Sequence, residues 1–188
     1  MTTLLLMLPT TALMLLVEKL WPANALPKVK NWWARVALTN LCQILIVLGV
    51  GNLLDPALTY FSVPWALKSH LPLPWQTFIG YTFTTFFYYF WHRLRHESRF
   101  FWKLCHQLHH SPKRLEVLMS FYKHPVEITL NALISSTITY LILGCSIEAA
   151  GLITLATGVA ELFYHWNIQT PAWFGLFFQR PESHRVHH

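Results

Sequence analysis

Stretches without any charged side chain alternate with polar segments along the chain, and they predict membrane-spanning helices. Four stretches contain no Asp, Glu, Lys or Arg: Met1–Val17, Val36–Leu54, Leu71–Trp91 and Ile128–Ile147. Ala149–Trp166 is a fifth apolar stretch, which only Glu161 and His165 interrupt. A helix of about 17–25 apolar residues is long enough to cross a lipid bilayer. The pattern therefore predicts an all-α integral membrane protein with four to five transmembrane helices.

The polar segments divide the chain into four parts of one membrane domain. We expect N-terminal spans over residues 1–91, a polar segment over 92–124, C-terminal spans over 125–166 and a polar tail over 167–188. The composition agrees, since 54% of the 188 residues are hydrophobic and 12% are charged, which is too apolar for an ordinary soluble domain. Residues 55–74 contain four prolines and one lysine, and they predict a short interfacial or re-entrant segment.

Lysine and arginine are distributed unevenly over the polar segments. There are four in the first loop, one in residues 55–74, seven in residues 92–124, none after the fourth apolar stretch and two in the tail. Short cytoplasmic loops of membrane proteins carry an excess of these residues. The first loop, residues 92–124 and the tail are therefore predicted to be cytoplasmic. Because the net charge of +6 lies beside the predicted spans, it indicates no nucleic-acid partner.

Eight of the eleven histidines fall into three short groups, which we call boxes 1, 2 and 3. Box 1 is HRLRH at 92–96, box 2 is HQLHH at 106–110 and box 3 is HRVHH at 184–188. Residues three or four positions apart share one face of a helix, so each box can present several imidazoles together. Imidazole binds iron, zinc, copper and nickel, and eight ligands are too many for one ion. The boxes predict two neighbouring metal ions with these ligands: His92, His96, His106, His109, His110, His184, His187 and His188.

His165 is a ninth predicted ligand, because ionisable residues inside a span are costly and usually functional. It follows Glu161 by four positions at the end of the fifth apolar stretch. The side chains of Glu161 and Asn167 are predicted to hydrogen-bond to the far nitrogens of ligating imidazoles. In the predicted topology every histidine except His70 lies on the cytoplasmic side, where the boxes form a histidine-rich helical cap.

The three boxes, in this order and after a membrane span, resemble the fatty acid hydroxylase/sterol desaturase superfamily of membrane di-iron enzymes. Two further elements, KHPVE at 123–127 and YHWN at 164–167, are similar to secondary signatures of that superfamily. The resemblance covers residues 90–188, about half of the chain, and extends to the hydropathy of the rest. Any single H-x3-H pattern would be a weak signal, but three boxes with these spacings are specific.

The resemblance implies two histidine-ligated iron ions that activate O2, with zinc as a substitute metal. It implies hydroxylation or desaturation of a lipid substrate, such as a sterol or a fatty acyl chain. Electrons would come from an external electron-transfer protein, either cytochrome b5-like or a ferredoxin with its reductase. The ligand roles carry over to the eight box histidines and to His165. His124 matches the His-Pro-x-Glu element and is a further candidate ligand.

Box 3 coincides with the last five residues, whereas members of the superfamily continue past it. We therefore expect a chain that is truncated after His188, with a box that stands at a fraying end.

Other functions stay open on the residues alone. A carotenoid ring hydroxylase has related boxes. A histidine-rich protein that stores or transports metal also uses imidazole ligands, although transporters place them near the middle of the bilayer, often beside acidic residues. A bis-histidine haem protein would pair histidines across facing spans, which the spacing of three and four residues does not favour. Two irons per chain would favour the oxygenase, and a single zinc would favour a structural site.

Overall fold

A computed structural model describes residues 2–61 and 63–188 of the chain. Met1, in the first predicted span, and Ser62, in the predicted re-entrant segment, lie outside the described residues. The described part is helical and contains no β-strand. Its α-helices are α1 (Thr2–Leu20), α2 (Trp32–Leu53), α3 (Asp55–Tyr60), α4 (Leu67–His70), α5 (Leu73–Glu97), α6 (Arg99–Phe101), α7 (Pro125–Ser136), α8 (Ile147–His165) and α9 (Pro181–His187). π-helical segments follow at Trp102–His106 and Thr137–Ile142, and 3-10 helices form at Val117–Phe121 and Ala172–Leu176.

Three helical segments in the described part are long and apolar enough to cross a membrane. They are Trp32–Tyr60, which joins α2 and α3, Pro125–Ile142, which joins α7 to its π-helical end, and Ile147–His165. Large apolar side chains cover the outer surface of α2, where Leu38, Leu45 and Leu53 are 63%, 60% and 83% exposed. Such a surface suits hydrocarbon rather than water. The prediction of an all-helical chain with membrane-length apolar helices is confirmed to this extent.

The central helix α8 contacts both α1 and α5, and α2 packs against α7. At the contact of α5 with α8, Gly80 lies against Ile153, and a Cβ at that position would overlap the Ile153 side chain. The glycine thus allows α5 and α8 to approach closely. Box 1 lies at the C-terminal end of the same helix α5.

Residues 55–74 do not form one continuous element. α2 runs into α3 with little interruption, since the N–H of Leu54 still donates to the carbonyl of Val50 at 2.8 Å. After α3 the chain meets the turn between α7 and α8, where Leu67 N–H donates to Leu143 O at 2.9 Å. Gly144 in that turn has a φ of 59°, a left-handed conformation that favours glycine. A Cβ at Gly144 would lie 2.6 Å from the Ala66 Cβ, so the turn needs glycine for space as well.

Candidate metal centre

Two groups of four histidines lie at the same end of α5 and α8, and we call them cluster 1 and cluster 2. Cluster 1 consists of His92, His96, His106 and His110. Cluster 2 consists of His109, His165, His184 and His188. In each cluster the four ring nitrogens lie within 4.8 Å of one another, which is close enough for one metal ion. The described residues thus bring together eight of the nine predicted metal ligands as two groups of four.

The backbone explains how each box reaches its cluster. α5 continues six residues past the predicted span, so His92 and His96 stand one turn apart on a single helix. Box 2 begins on the π-helical turn Trp102–His106, a form of helix that is frequent at functional sites. Its first and last histidines, four positions apart, enter cluster 1, whereas His109 enters cluster 2. Box 2 therefore contributes to both clusters.

Box 3 is divided in the same way. His184 lies on α9 and His188 directly follows it, and both join cluster 2. His187 is exposed and its Nε2 lies 2.7 Å from the Nε2 of His92, so it is a fifth nitrogen donor beside cluster 1. The sequence left open which histidines of a box bind the same ion. In the structure, histidines of one box that belong to the same cluster are four positions apart.

The nitrogen separations fit a bound metal ion. Two imidazoles bound to one ion at about 2.1 Å and at right angles place their nitrogens about 3.0 Å apart. In cluster 1 the Nε2 of His96 lies 3.2 Å from that of His92 and 3.1 Å from that of His106. The Nε2 of His106 lies 3.1 Å from that of His110. In cluster 2 the Nε2 of His165 lies 3.2 Å from that of His109 and 3.1 Å from that of His184.

Hydrogen bonds between the rings cannot account for all of these short contacts between ring nitrogens. Each ring nitrogen offers either one hydrogen or one lone pair, so it takes part in one N–H···N bond. Three short Nε2 contacts link the four nitrogens of cluster 1 in a row, and His96 and His106 each take part in two of them. At most two of the three contacts can be hydrogen bonds. A cation among the nitrogens would satisfy all four lone pairs, so the residues fit the metal that the boxes predict.

Burial keeps these histidines in the neutral form that binds metal. Removal from water, with the neighbouring histidines adding to it, lowers the pKa of His96 to about 4 and that of His110 to about 3. Burial together with nearby histidines lowers the pKa of His184 and of His188 to about 2. The clusters therefore present neutral imidazoles at pH 7 without first releasing protons.

The far nitrogens of two cluster 2 histidines bond to backbone carbonyls. His165 Nδ1 lies 2.8 Å from the carbonyl oxygen of Glu161, and His109 Nδ1 lies 3.3 Å from that of Tyr122. A carbonyl only accepts, so each Nδ1 carries the hydrogen and each Nε2 keeps its lone pair for a metal. The Glu161 carboxylate forms an ion pair with Lys123. Glu161 thus contacts His165 through its backbone, whereas the sequence suggested its side chain.

Asn167 is fully buried and contacts box 3 through an arginine. Its side-chain oxygen accepts a hydrogen bond of 2.9 Å from Arg185, which lies between His184 and His187 in the sequence. Its backbone N–H donates to the Glu18 carboxylate at 2.9 Å. Among the described contacts, Asn167 bonds to these groups, to Asn24 and, through its backbone carbonyl, to the Ala23 N–H, rather than to an imidazole.

Glu127 is the buried carboxylate beside cluster 1, and sequence reasoning did not single it out. Both of its oxygens lie 3.2 Å from His106 Nδ1, and it forms an ion pair with Arg95. Arg95 also approaches His92, with 3.2 Å between Nη2 and Nδ1. Glu127 belongs to the KHPVE element at 123–127, so a sequence signal for it exists beside His124. The His124 Nδ1 accepts the Val126 N–H at 3.2 Å as the N-cap of α7 and lies outside both clusters.

Comparison with known proteins assigns the histidine-rich region to a protein family. The sequence model of the family described as fatty acid hydroxylase matches residues 77–188, which is more than half of the chain. Searches of curated proteins and of solved structures gave no significant match. The matched region contains all three boxes, His165 and Glu127, and the chain belongs to the fatty acid hydroxylase family.

Proposed function

We propose that the protein is a membrane-bound di-iron oxygenase that hydroxylates or desaturates a lipid, with O2 as oxidant and electrons from an external donor. The observation that carries this proposal is the presence of two adjacent four-histidine clusters in a member of the fatty acid hydroxylase family. Family membership implies an oxidoreductase, and the clusters suggest a pair of metals. Beyond family membership and the clusters, we propose that the metal is iron, that the substrate is a lipid and that an electron-transfer protein is the partner.

The proposed metal ligands are the eight histidines of the two clusters, with His187 as a further donor to cluster 1. A bound iron pair would supply the redox chemistry that an unactivated C–H bond requires, which acid–base side chains do not provide. The protein's own contribution is to hold the ligands and to exclude water. His106, His109 and His165 are 0%, 2% and 1% exposed, so the inner side of both sites is dry. Glu127 and the Glu161 carbonyl fix which ring nitrogen faces the metal.

We further propose that α1 and α5 also cross the bilayer, which gives five crossings and places both clusters at the cytoplasmic face. α1 and α5 are 19 and 25 residues long, enough for a span. The excess of Lys and Arg in residues 92–124 supports the cytoplasmic assignment. In this arrangement the acyl part of a lipid would reach the clusters from the bilayer, while a soluble cytochrome b5-like protein or ferredoxin would approach from the cytoplasm.

The test combines metal analysis with lipid profiling of cells that do or do not express the protein. We expect about two irons per purified chain and a lipid, of the sterol or fatty acyl class, that gains a hydroxyl group or a double bond. His109→Ala should abolish the product while the protein still inserts into the membrane. His70→Ala is the matched control, because His70 is exposed and lies outside both clusters, and it should leave the product unchanged.

The outcome also separates the alternatives. A changed carotenoid profile with unchanged lipids would make the substrate a carotenoid ring. Iron-free protein with zinc alone and no altered lipid would contradict the oxygenase and favour a metal-binding role.

A further inference from the structure

The segment Pro171–Gln179 between α8 and α9 is an uncharged loop with an apolar surface, and we call it the aromatic loop. It contains the 3-10 helix Ala172–Leu176 and has the sequence PAWFGLFFQ. Four of its large apolar side chains have more than half of their surface exposed: Trp173 (63%), Leu176 (80%), Phe177 (75%) and Phe178 (55%). A water-facing loop usually has polar residues at its tip, so this one is unusual for a solvated surface.

Polar side chains close the base of the aromatic loop. The Glu182 carboxylate accepts hydrogen bonds from the Thr170 N–H at 2.6 Å and from the Thr170 hydroxyl at 2.8 Å. The Arg180 guanidinium donates to the Thr170 carbonyl at 2.8 Å and pairs with Glu182 at 3.0 Å. These bonds join the two ends of the loop, so its apolar tip projects from a fixed, polar base.

The aromatic loop lies against the end of α8, one of the membrane-length apolar helices. The ring centroid of Phe174 is 5.3 Å from that of Phe163, in the last turn of α8. The Phe178 ring stacks on Phe174 at 4.8 Å. Phe163 precedes the cluster 2 histidine His165 by two residues, so the loop lies at the end of α8 that carries the metal centre. The loop therefore packs against the end of a candidate span.

We propose that the aromatic loop inserts its tip into the lipid bilayer beside the end of α8. The tip would lie at the boundary between the headgroups and the acyl chains, where tryptophan and phenylalanine side chains are favoured. The contact with α8 supports lipid rather than another protein, and the absence of charge over Pro171–Gln179 supports insertion beyond the headgroups. The polar base of Thr170, Arg180 and Glu182 would stay at the headgroup level. Because Glu182 of this base lies in α9, insertion would tie box 3 to the membrane surface.

The test measures the surroundings of the loop tip in the full chain, reconstituted in lipid nanodiscs. Phe177→Cys is labelled with the environment-sensitive fluorophore NBD, and Ser111→Cys in the exposed segment after box 2 is the matched control. The parent chain gives the background labelling of Cys42, Cys105 and Cys145, two of which are buried. Leu176→Cys is a second tip position in case the Phe177 variant does not fold.

We expect the label at the tip to emit at shorter wavelength than the label at position 111. Lipids with a nitroxide on the acyl chain should quench it strongly, and aqueous iodide should quench it weakly. The label at position 111 should show the reverse pattern. Equal iodide quenching at both positions would overturn the proposal. Protection of the tip from both quenchers would also overturn it, since it would mean that protein rather than lipid covers the loop.

Discussion

Glu127 offers a direct test of how the surroundings of cluster 1 control metal binding. Its side chain is fully buried, and its two carboxylate oxygens lie 3.2 Å from the Nδ1 of His106. A carboxylate at the far nitrogen holds the ring in place and makes the other nitrogen a stronger metal donor. Glu127→Gln keeps the size of the side chain but removes the charge. We expect the variant to bind metal at cluster 1 more weakly than the parent.

The size of the effect follows from this contact. Loss of such a contact typically lowers metal affinity about 10- to 100-fold, which corresponds to about 1.4–2.8 kcal/mol. The same substitution leaves the guanidinium of Arg95 buried without its anionic partner. Breaking a buried ion pair costs about 3–5 kcal/mol of folding free energy, so part of any loss in metal binding could come from the fold. The two effects have to be measured separately.

The assay is a competition between the purified protein and a chelator for ferrous iron, together with thermal unfolding of the metal-free chain. Glu97→Gln is the matched control. Glu97 pairs with Arg93 at 2.6 Å on the same helix as His92, but both side chains are more than half exposed. Its replacement should change neither measurement appreciably. If Glu127→Gln binds both irons as tightly as the parent does, the inferred role of Glu127 is wrong.

Three further predictions use different parts of the structure. The metal-free chain should lose stability as the pH falls from about 6.5 towards 4, because histidines of the unfolded chain take up protons near pH 6.5 whereas burial lowers the pKa of His96 in the folded chain to about 4. Thermal unfolding across this pH range measures the loss, and a stability that does not change with pH would contradict the prediction. Gly144→Ala should destabilise the protein by more than the about 1–2 kcal/mol that a non-glycine residue costs at its φ of 59°, because a Cβ there would also overlap Ala66, whereas Gly49→Ala, with open space around it, should not destabilise the protein in the same unfolding assay. Asn167→Ala should release Arg185 and lower the metal content below two ions per chain, while an unchanged metal content would exclude this positioning role.

The sequence predicted the helical class and two neighbouring metal sites, because both depend on local spacing, but it did not divide the ligands between the sites. A separation of four positions puts two imidazoles on one helical face wherever the helix lies, and each cluster contains such pairs: His92 with His96, and His184 with His188. The role of Glu127 could not be predicted in this way. It meets His106 across 21 positions, through the packing of α7 against the π-helical turn. Contacts that depend on how separate helices pack leave no periodic signal in the sequence.

The adjacent histidines of box 2 show how closely the two clusters lie. His109 and His110 lie in the turn that follows the π-helical segment, and they enter different clusters. Their ring centroids are nevertheless only 5.3 Å apart. The ring of His110 also stacks on that of His188 at 4.1 Å, although these two histidines belong to different clusters. A change in the backbone of box 2 would therefore disturb both clusters together.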